Sequence, residues 1–384
     1  MRLATTTSNP SELVMASISD IHLAHPRTST YHIIQNLRKA FPDDDTTGKL
    51  DILFFAGDVF DRLMNLPQDE VDAIQEWIGD LLRICAKRNI LVRVLEGTPS
   101  HDWRQSKQFV NVNNTLDNPA NLKYVDTLSV EVISELKNLS VLYVPDEWNA
   151  DASVTLQQTK DLLTIHGMTQ VDVACMHGSF DYQLPIESVK NHDSDAYMAL
   201  VKHYIVIGHV HIRTEKGNKI LAQGSFDRLS HGEEAAKGHY RACISPAGNY
   251  HWFVENLGAR VYKTFDCREM SVAETIELLE QYESYPADSF FRLMIKRNST
   301  VQHGMRDLRK RFPHFRLTTQ MDDLKAQEEA TLTQPQSPTI KPISITPTNV
   351  PHLIAERMRR LYGDDQEHRI TQVLAVLDKY KVVS

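Results

Sequence analysis

Cysteine is scarce in this sequence: Cys85, Cys175, Cys243 and Cys267 are spread over 384 residues with no CxxC spacing. That pattern excludes a disulfide framework and a thiolate zinc knot, and it suits buried, reduced thiols. A membrane span is also missing, because no stretch reaches the roughly 18 uninterrupted apolar residues it needs. The opening MRLATTTSNPSELV lacks the apolar core of a secretion signal. A cytoplasmic protein without a membrane partner is therefore the expectation. Positive charge is not in excess either. Lys and Arg number 42 against 50 Asp and Glu, a formal charge of −8, so any nucleic-acid binding must rest on local patches.

What is present is ordinary globular composition, 41% hydrophobic and 24% charged, with length enough for two or three cores. Short β-branched or aromatic runs alternate with helical patterns up to about residue 258: LVMASIS (13–19), DILFFAG (51–57), ILVRVLEG (90–97), LSVLYV (139–144), VDVACMHG (171–178) and HYIVIGH (203–209). Such runs read as strands buried on both faces. Between the second and third, Val71, Ile74, Trp77, Ile78, Leu81 and Leu82 recur at helical spacing, giving a strand–helix–strand unit. Beyond Gly208, KILAQGS, YRACISP and NYHWFVEN predict an antiparallel sheet that completes a mixed α/β domain over 1–258.

A small α+β module is predicted for 259–330, built from a helix (271–283), a strand (290–296), a helix (301–312) and a strand (315–319). The stretch 331–350 is rich in Pro, Ser and Thr with almost no charge, which reads as a linker. It leads to two short helical patterns over 351–384, with Ile354, Met358 and Leu361 in the first and Ile370, Leu374 and Leu377 in the second. Helices this short bury little by themselves, so the pair reads as a docking element for another chain, with packing back onto the second domain as the alternative.

Histidine is abundant, at 17 residues, and it gathers with Asp and Gly at strand ends. The first strand ends in Asp20-Ile21-His22, the second in Gly57-Asp58, the third runs into His101-Asp102, and later ones end in His177-Gly178 and Gly208-His209-Val210-His211. In an open α/β sheet such termini share one edge, where ligands bind. Any one of these residues alone could be a helix cap or a packed side chain. Together, Asp20, His22, Asp58, His177, His209 and His211 would crowd charges and donors without purpose unless they held cations. Carboxylate and imidazole donors without thiolate favour Mn, Fe or Zn, and six ligands exceed one tetrahedral ion. Two metals and phosphoester hydrolysis are the chemistry this implies.

The order DxH, GDxxD, a Gly-led segment ending in HD, HG and GHxH resembles the calcineurin-like metallophosphoesterase superfamily. The segment Gly224-Ser225-Phe226-Asp227-Arg228 through Glu233, followed by Lys237-Gly238, resembles the SbcD-type DNA repair nucleases within it. The resemblance implies a mixed-sheet α/β sandwich with a small α+β cap, a Pro-rich linker and a C-terminal helix pair. It assigns Asp20, His22 and His211 to one metal, His177 and His209 to the other, and Asp58 as the bridge, with Mn2+ the expected ion at both. His101 would be the catalytic histidine, oriented by Asp102. Where the family has GNHD, this chain has Gly97-Thr98-Pro99-Ser100-His101-Asp102, so Ser100 takes the place of the ligating Asn. Asp61 matches the last position of GDxxD, either steering substrate or capping the following helix.

DNA and an SbcC-type ATPase are the partners the resemblance implies, in a heterotetramer built on a homodimer. The basic run of the cap, Arg292, Lys296, Arg297, Arg306, Arg309, Lys310, Arg311 and Arg316 against Asp307 alone in 25 residues, would contact DNA phosphates. It is otherwise a solvated helix face. The rival functions are a phosphoesterase for small molecules or phosphoproteins, and a weakened DNA-binding scaffold that regulates the ATPase.

Overall fold

The apolar runs form strands: β1 (Leu13–Ile18), β2 (Ile52–Ala56), β3 (Leu91–Leu95), β4 (Leu122–Val125), β5 (Ser129–Ile133) and β6 (Leu139–Val144). There follow β7 (Val171–His177), β8 (Val201–Gly208), β9 (Thr214–Lys216), β10 (Ile220–Ala222), β11 (Gly238–Ile244) and β12 (Tyr250–Glu255). The computed structural model describes residues 12–185 and 188–321, and beyond them Ala355, Arg359, Ile370 and Thr371. Two compact units make up the chain, Met1–Asp322 and Asp323–Ser384.

In the first unit the strands form two six-stranded sheets, ordered β12-β11-β1-β2-β3-β4 and β5-β6-β7-β8-β10-β9. The strand runs predict a mixed α/β domain, and the resemblance implies that its sheets are layered as a sandwich. Two sheets pack face to face because strands that are apolar on both faces need cover on each side. Met15, Phe54 and Leu95 of the first sheet pack on Tyr143, Val173 and Val206 of the second. On the outer face of the first sheet, Phe55 and Val94 meet Trp77 and Leu82 of the helix Gln68–Arg88. Outside the second, Leu142 and Ile205 meet Leu163 of the helix Ala152–Ile165 and Tyr197 of the helix Ser194–Leu200. The layers thus run helix, sheet, sheet, helix, and each fully buried large side chain contributes roughly 1.5–3 kcal/mol. The segments after Gly208 join both sheets: β11 and β12 extend the first next to β1, and β9 and β10 extend the second next to β8.

Residues from 262 form a third sheet of three parallel strands, β13 (Tyr262–Asp266), β14 (Phe290–Ile295) and β15 (Arg316–Met321), crossed by the helices Val272–Glu280 and Thr300–Arg311. A reciprocal capping box between Ser271 and Glu274 starts the first of these helices. The module has its own core, with Phe291, Leu293 and Leu308 fully buried. It is tied to the larger body where Arg260 N donates to Asp227 Oδ1 at 2.7 Å and Thr264 N to Glu234 Oε1 at 2.9 Å.

In the second unit the four described residues are helical, and Ala355 and Ile370 are buried. The linker 331–350 and the docking positions Ile354, Met358, Leu361, Leu374 and Leu377 lie outside the described residues. Among the described residues, no helix is long and apolar enough to cross a membrane. All four cysteines are free and buried.

One buried group makes the fold sensitive to acid. His239, on β11, is 1% exposed and accepts at Nε2 from Arg241 Nε at 3.3 Å. Burial, and then the Arg241 charge, push its pKa down to about 3. Below pH 6.5 the unfolded chain binds a proton that the folded chain refuses, so stability falls by about 1.4 kcal/mol per pH unit until pH approaches the folded value. His239→Gln is expected to flatten this slope, read as a smaller drop in urea midpoint between pH 7 and pH 5 than in the wild type.

Candidate metal centre

Three loops set the first half of the site. After β1 the chain runs beside the loop after β2, with Asp20 N donating to Gly57 O at 3.1 Å and Ile21 N to Asp58 O at 2.9 Å. Both loops turn through the left-handed region at non-glycine residues: φ is +48° at Asp20, +52° at His22 and +49° at Asp58. His209, after β8, has φ +105°. Such conformations cost on the order of 1 kcal/mol each and persist only where the surroundings over-determine them. Here they aim side chains from two different sheets at one point. Glycine is required beside them. A Cβ on Gly57, at φ +83°, would stand 2.2 Å from His177 Nδ1, and one on Gly97 would stand 2.1 Å from Asp58 N.

At that point the donor atoms form three groups, each with its atoms within 4.8 Å of one another: Asp20 with His22 and His211, His22 with Asp58 and His101, and Asp58 with His177 and His209. Shared members make them one cluster. His22 Nε2 faces His211 Nε2 at 3.0 Å, and His211 Nε2 lies 3.7 Å from Asp20 Oδ1. Asp58 Oδ1 is 3.3 Å from His177 Nε2, while its Oδ2 is 2.9 Å from His101 Nδ1 and 4.0 Å from His22 Nε2. Asp20, His22, Asp58 and His177 are all essentially fully buried.

Outer partners fix these side chains. His177 Nδ1 lies 2.6 Å from Ala56 O, so this nitrogen carries a proton and Nε2 is the atom turned toward Asp58. Asp20 accepts from Ser19 Oγ and from the backbone of His209 at 3.0 Å. His22 Nδ1 lies 3.2 Å from Asp61 Oδ1, which gives Asp61 an orienting role. His211 Nδ1 meets Glu233 Oε1 at 3.2 Å, and Glu233 in turn holds the buried Lys237 at 2.9 Å. Burial would raise the Asp58 carboxyl, but the imidazoles of His177, His101 and His22 outweigh it and hold the group well below the usual carboxylate range. The same contest holds Glu233 down, where the His211 hydrogen bond and the Lys237 charge overcome burial.

Two expectations are corrected. Ser100 is exposed and does not enter the cluster, because Pro99 opens a one-turn helix (Pro99–Asp102) that points Ser100 outward. Thr98, just before it, enters instead. Its Oγ1 lies 3.2 Å from Asp58 Oδ2, 3.4 Å from His177 Nε2 and 3.3 Å from His209 Nδ1. Asp102 does not orient His101, since adjacent residues on a helical turn do not face each other. Its fully buried carboxylate accepts from Phe60 N at 2.9 Å and Gly97 N at 2.8 Å, and His101 is held by Asp58. Burial, with the charges of Asp58 and Glu96, pushes Asp102 up to about 8.

Besides Thr98, a second member of the site was missed from the sequence. Asp146 Oδ2 lies 3.0 Å from Thr98 Oγ1 and 3.4 Å from His209 Nδ1, and burial notwithstanding, the His209 and His177 imidazoles bring it down to about 2. It stands two residues beyond β6, as Asp20 and Asp58 stand two residues beyond β1 and β2. That shared offset was the available signal.

The basic run of the third-sheet module is spread out. Lys296 pairs with Glu269, Arg311 with Glu280, Arg316 with Asp288 at 2.9 Å and Lys310 with Asp307 at 3.8 Å, while Arg309 donates to Leu317 O. Arg292 reaches Gln320, and Arg306 and Arg297 are exposed. Acids outside the 25-residue window therefore neutralise much of it, because ion pairing follows space and not sequence. Arg316 lines a cavity of about 560 Å3 with His25, Arg27, Arg62 and Arg260, between the loop after β1 and the module. Buried acid–imidazole groups like these can hold metal ions.

Asp102→Asn replaces one acceptor oxygen with a donor against a backbone N–H. It is expected to destabilise the fold by about 1–3 kcal/mol in thermal unfolding at neutral pH. Gly57→Ala is expected to cost more than about 2 kcal/mol in the same measurement, since both its φ and the His177 ring must shift.

No family model matches the chain, and no curated protein does. Among solved structures that match, one is 12% identical over 63% of this chain and 99% of its own length, with a TM-score of 0.38, a likeness too slight to argue from.

Proposed function

We propose that this chain is a metal-dependent phosphodiesterase acting on DNA, a nuclease of SbcD type built on the metallophosphoesterase sandwich. One observation carries the reading: donor atoms from loops between Asp20 and His211, which belong to two sheets, meet in three overlapping groups linked through His22 and Asp58. The donor set fits two divalent ions, with Asp20, His22 and His211 on one side, His177 and His209 on the other, and Asp58 between. Mn2+ suits this mixture of carboxylate and neutral imidazole. When bound, such ions supply Lewis-acid polarisation of a phosphate and a lowered pKa for water.

The chain's own residues do the rest. His101 is 39% exposed at its side chain while its Nδ1 is anchored on Asp58, so its Nε2 edge is free to face a substrate. Asp58 raises its pKa, chiefly by that hydrogen bond, which favours the protonated ring as a donor to a phosphate or leaving oxygen. Thr98 and Asp146 hold His209. The cavity with Arg27, Arg62, Arg260 and Arg316 supports a polyanionic substrate. Arg62 follows Asp61, the residue against His22, so the cationic wall begins beside the cluster.

Asp58→Ala is expected to lower Mn2+-dependent cleavage of end-labelled DNA by at least about 100-fold and to reduce bound metal by elemental analysis. Retention of both would remove the two-metal reading. His101→Gln should lower cleavage by about 10²–10⁴-fold with metal content unchanged. Arg27→Ala should weaken DNA binding regardless of sequence and lower the salt-dependence slope by about 1, measured by fluorescence anisotropy over a salt series.

A further inference from the structure

Beside the metal centre, on the side of His209, lies a second cavity of about 410 Å3, lined by Trp103, Trp148, Asp146, Glu147, Asp126 and Arg104 among others. Asp146 is common to this cavity and the cluster, where it stands against Thr98 and His209. Two features set the cavity apart from an ordinary surface hollow.

The first is its pair of tryptophans. Trp103 is 55% and Trp148 40% exposed, although burying either ring would be favourable. Each indole is nonetheless fixed: Trp103 Nε1 donates to Ser100 O at 2.8 Å, and Trp148 Nε1 to Gln158 Oε1 at 2.8 Å. The backbone supports this placement at a cost, with φ +46° at Trp103, +58° at Arg104 and +46° at Glu147. Two anchored aromatic rings held open to solvent bind a flat partner with little loss of side-chain freedom.

The second feature is charge. Glu96, Asp126, Asp146 and Glu147 line the cavity with one cation, Arg104, while Lys107 stands 3.8 Å from Asp126 and Lys190 pairs with Glu147. Such a wall, its acids still outnumbering its cations, offers a phosphate backbone no net attraction. A neutral planar group with N–H donors is accepted. The cationic cavity with Arg27 and Arg62 has the opposite character, so backbone and base are offered different surfaces at the two cavities.

We infer that the Trp103–Trp148 cavity receives the base of an unpaired nucleotide next to the phosphate at the metal centre, making these tryptophans specificity-determining residues for a single-stranded or unwound substrate. This rests on the phosphodiesterase reading above. Base stacking on aromatic side chains tolerates any base, which fits a site without a shaped polar pocket for one of them.

The test is binding of a short oligothymidylate and of an equally long base-free deoxyribose phosphate strand to the full chain, in Ca2+. The wild type is expected to bind the base-free strand about ten-fold or more weakly. Trp103→Ala/Trp148→Ala should erase that difference, and Trp103→Phe/Trp148→Phe should keep most of it. A wild type without preference, or a preference undiminished in the alanine variant, overturns the base site. Cleavage of the same oligothymidylate in Mn2+ is read separately. Cleavage without base preference removes this inference alone, and base preference without any cleavage removes the phosphodiesterase reading alone.

Discussion

A carboxylate buried at the meeting of two sheets cannot stand without partners, and Asp58 is that carboxylate. It is 1% exposed, and one oxygen or the other faces His177, His101, Thr98 or His22. Removing an anion from water costs several kcal/mol unless charge or hydrogen bonds replace the solvent. The surrounding loops supply that replacement. Thr98 N donates to Asp58 at 2.6 Å, Gly97 leaves room for the approach, and Gly57 lets His177 close in from the other sheet. The left-handed residues at Asp20, His22 and Asp58 then follow as the geometry that brings the remaining donors within reach.

Much of this was legible from the sequence, for a definite reason. Strands buried on both faces write themselves as unbroken apolar runs, as in LVMASI and ILFFA, and their ends were marked by Asp, His and Gly. Strands with weaker burial left weaker marks. β5, SVEVI, is only partly buried over most of its length, and β13, YKTFD, mixes polar and apolar positions, so neither stood out. Which strand joins which sheet was not legible from the runs themselves, since it depends on which faces meet. Within the site, the misreadings at Ser100 and Asp102 share a cause. A one-turn helix begins at Pro99, and side-chain direction within it cannot be counted off along the chain.

Charge shows the same limit more strongly. The cations between Arg292 and Arg316 look unopposed in a linear window, yet Glu269, Glu280 and Asp288 come from flanking turns and helices to meet them. The cationic wall that does border the cluster is assembled from separate stretches, with Arg27 and Arg62 from the loops after β1 and β2, Arg260 from the join to the module, and Arg316 from β15. No single stretch of sequence announces it.

The partners at the centre lie far apart along the chain, His22 and His211 by 189 positions and Asp58 and His177 on opposite sheets. Contacts of such long range form late, after loop closure has brought distant segments together. A half-assembled chain with the first sheet alone offers His22, Asp58 and His101 but leaves Asp20 without His211 and Asp58 without His177 and His209, so the full cluster exists only once both sheets have met. Conversely, a slight parting of the two sheets would scatter the cluster well before the molecule unravelled.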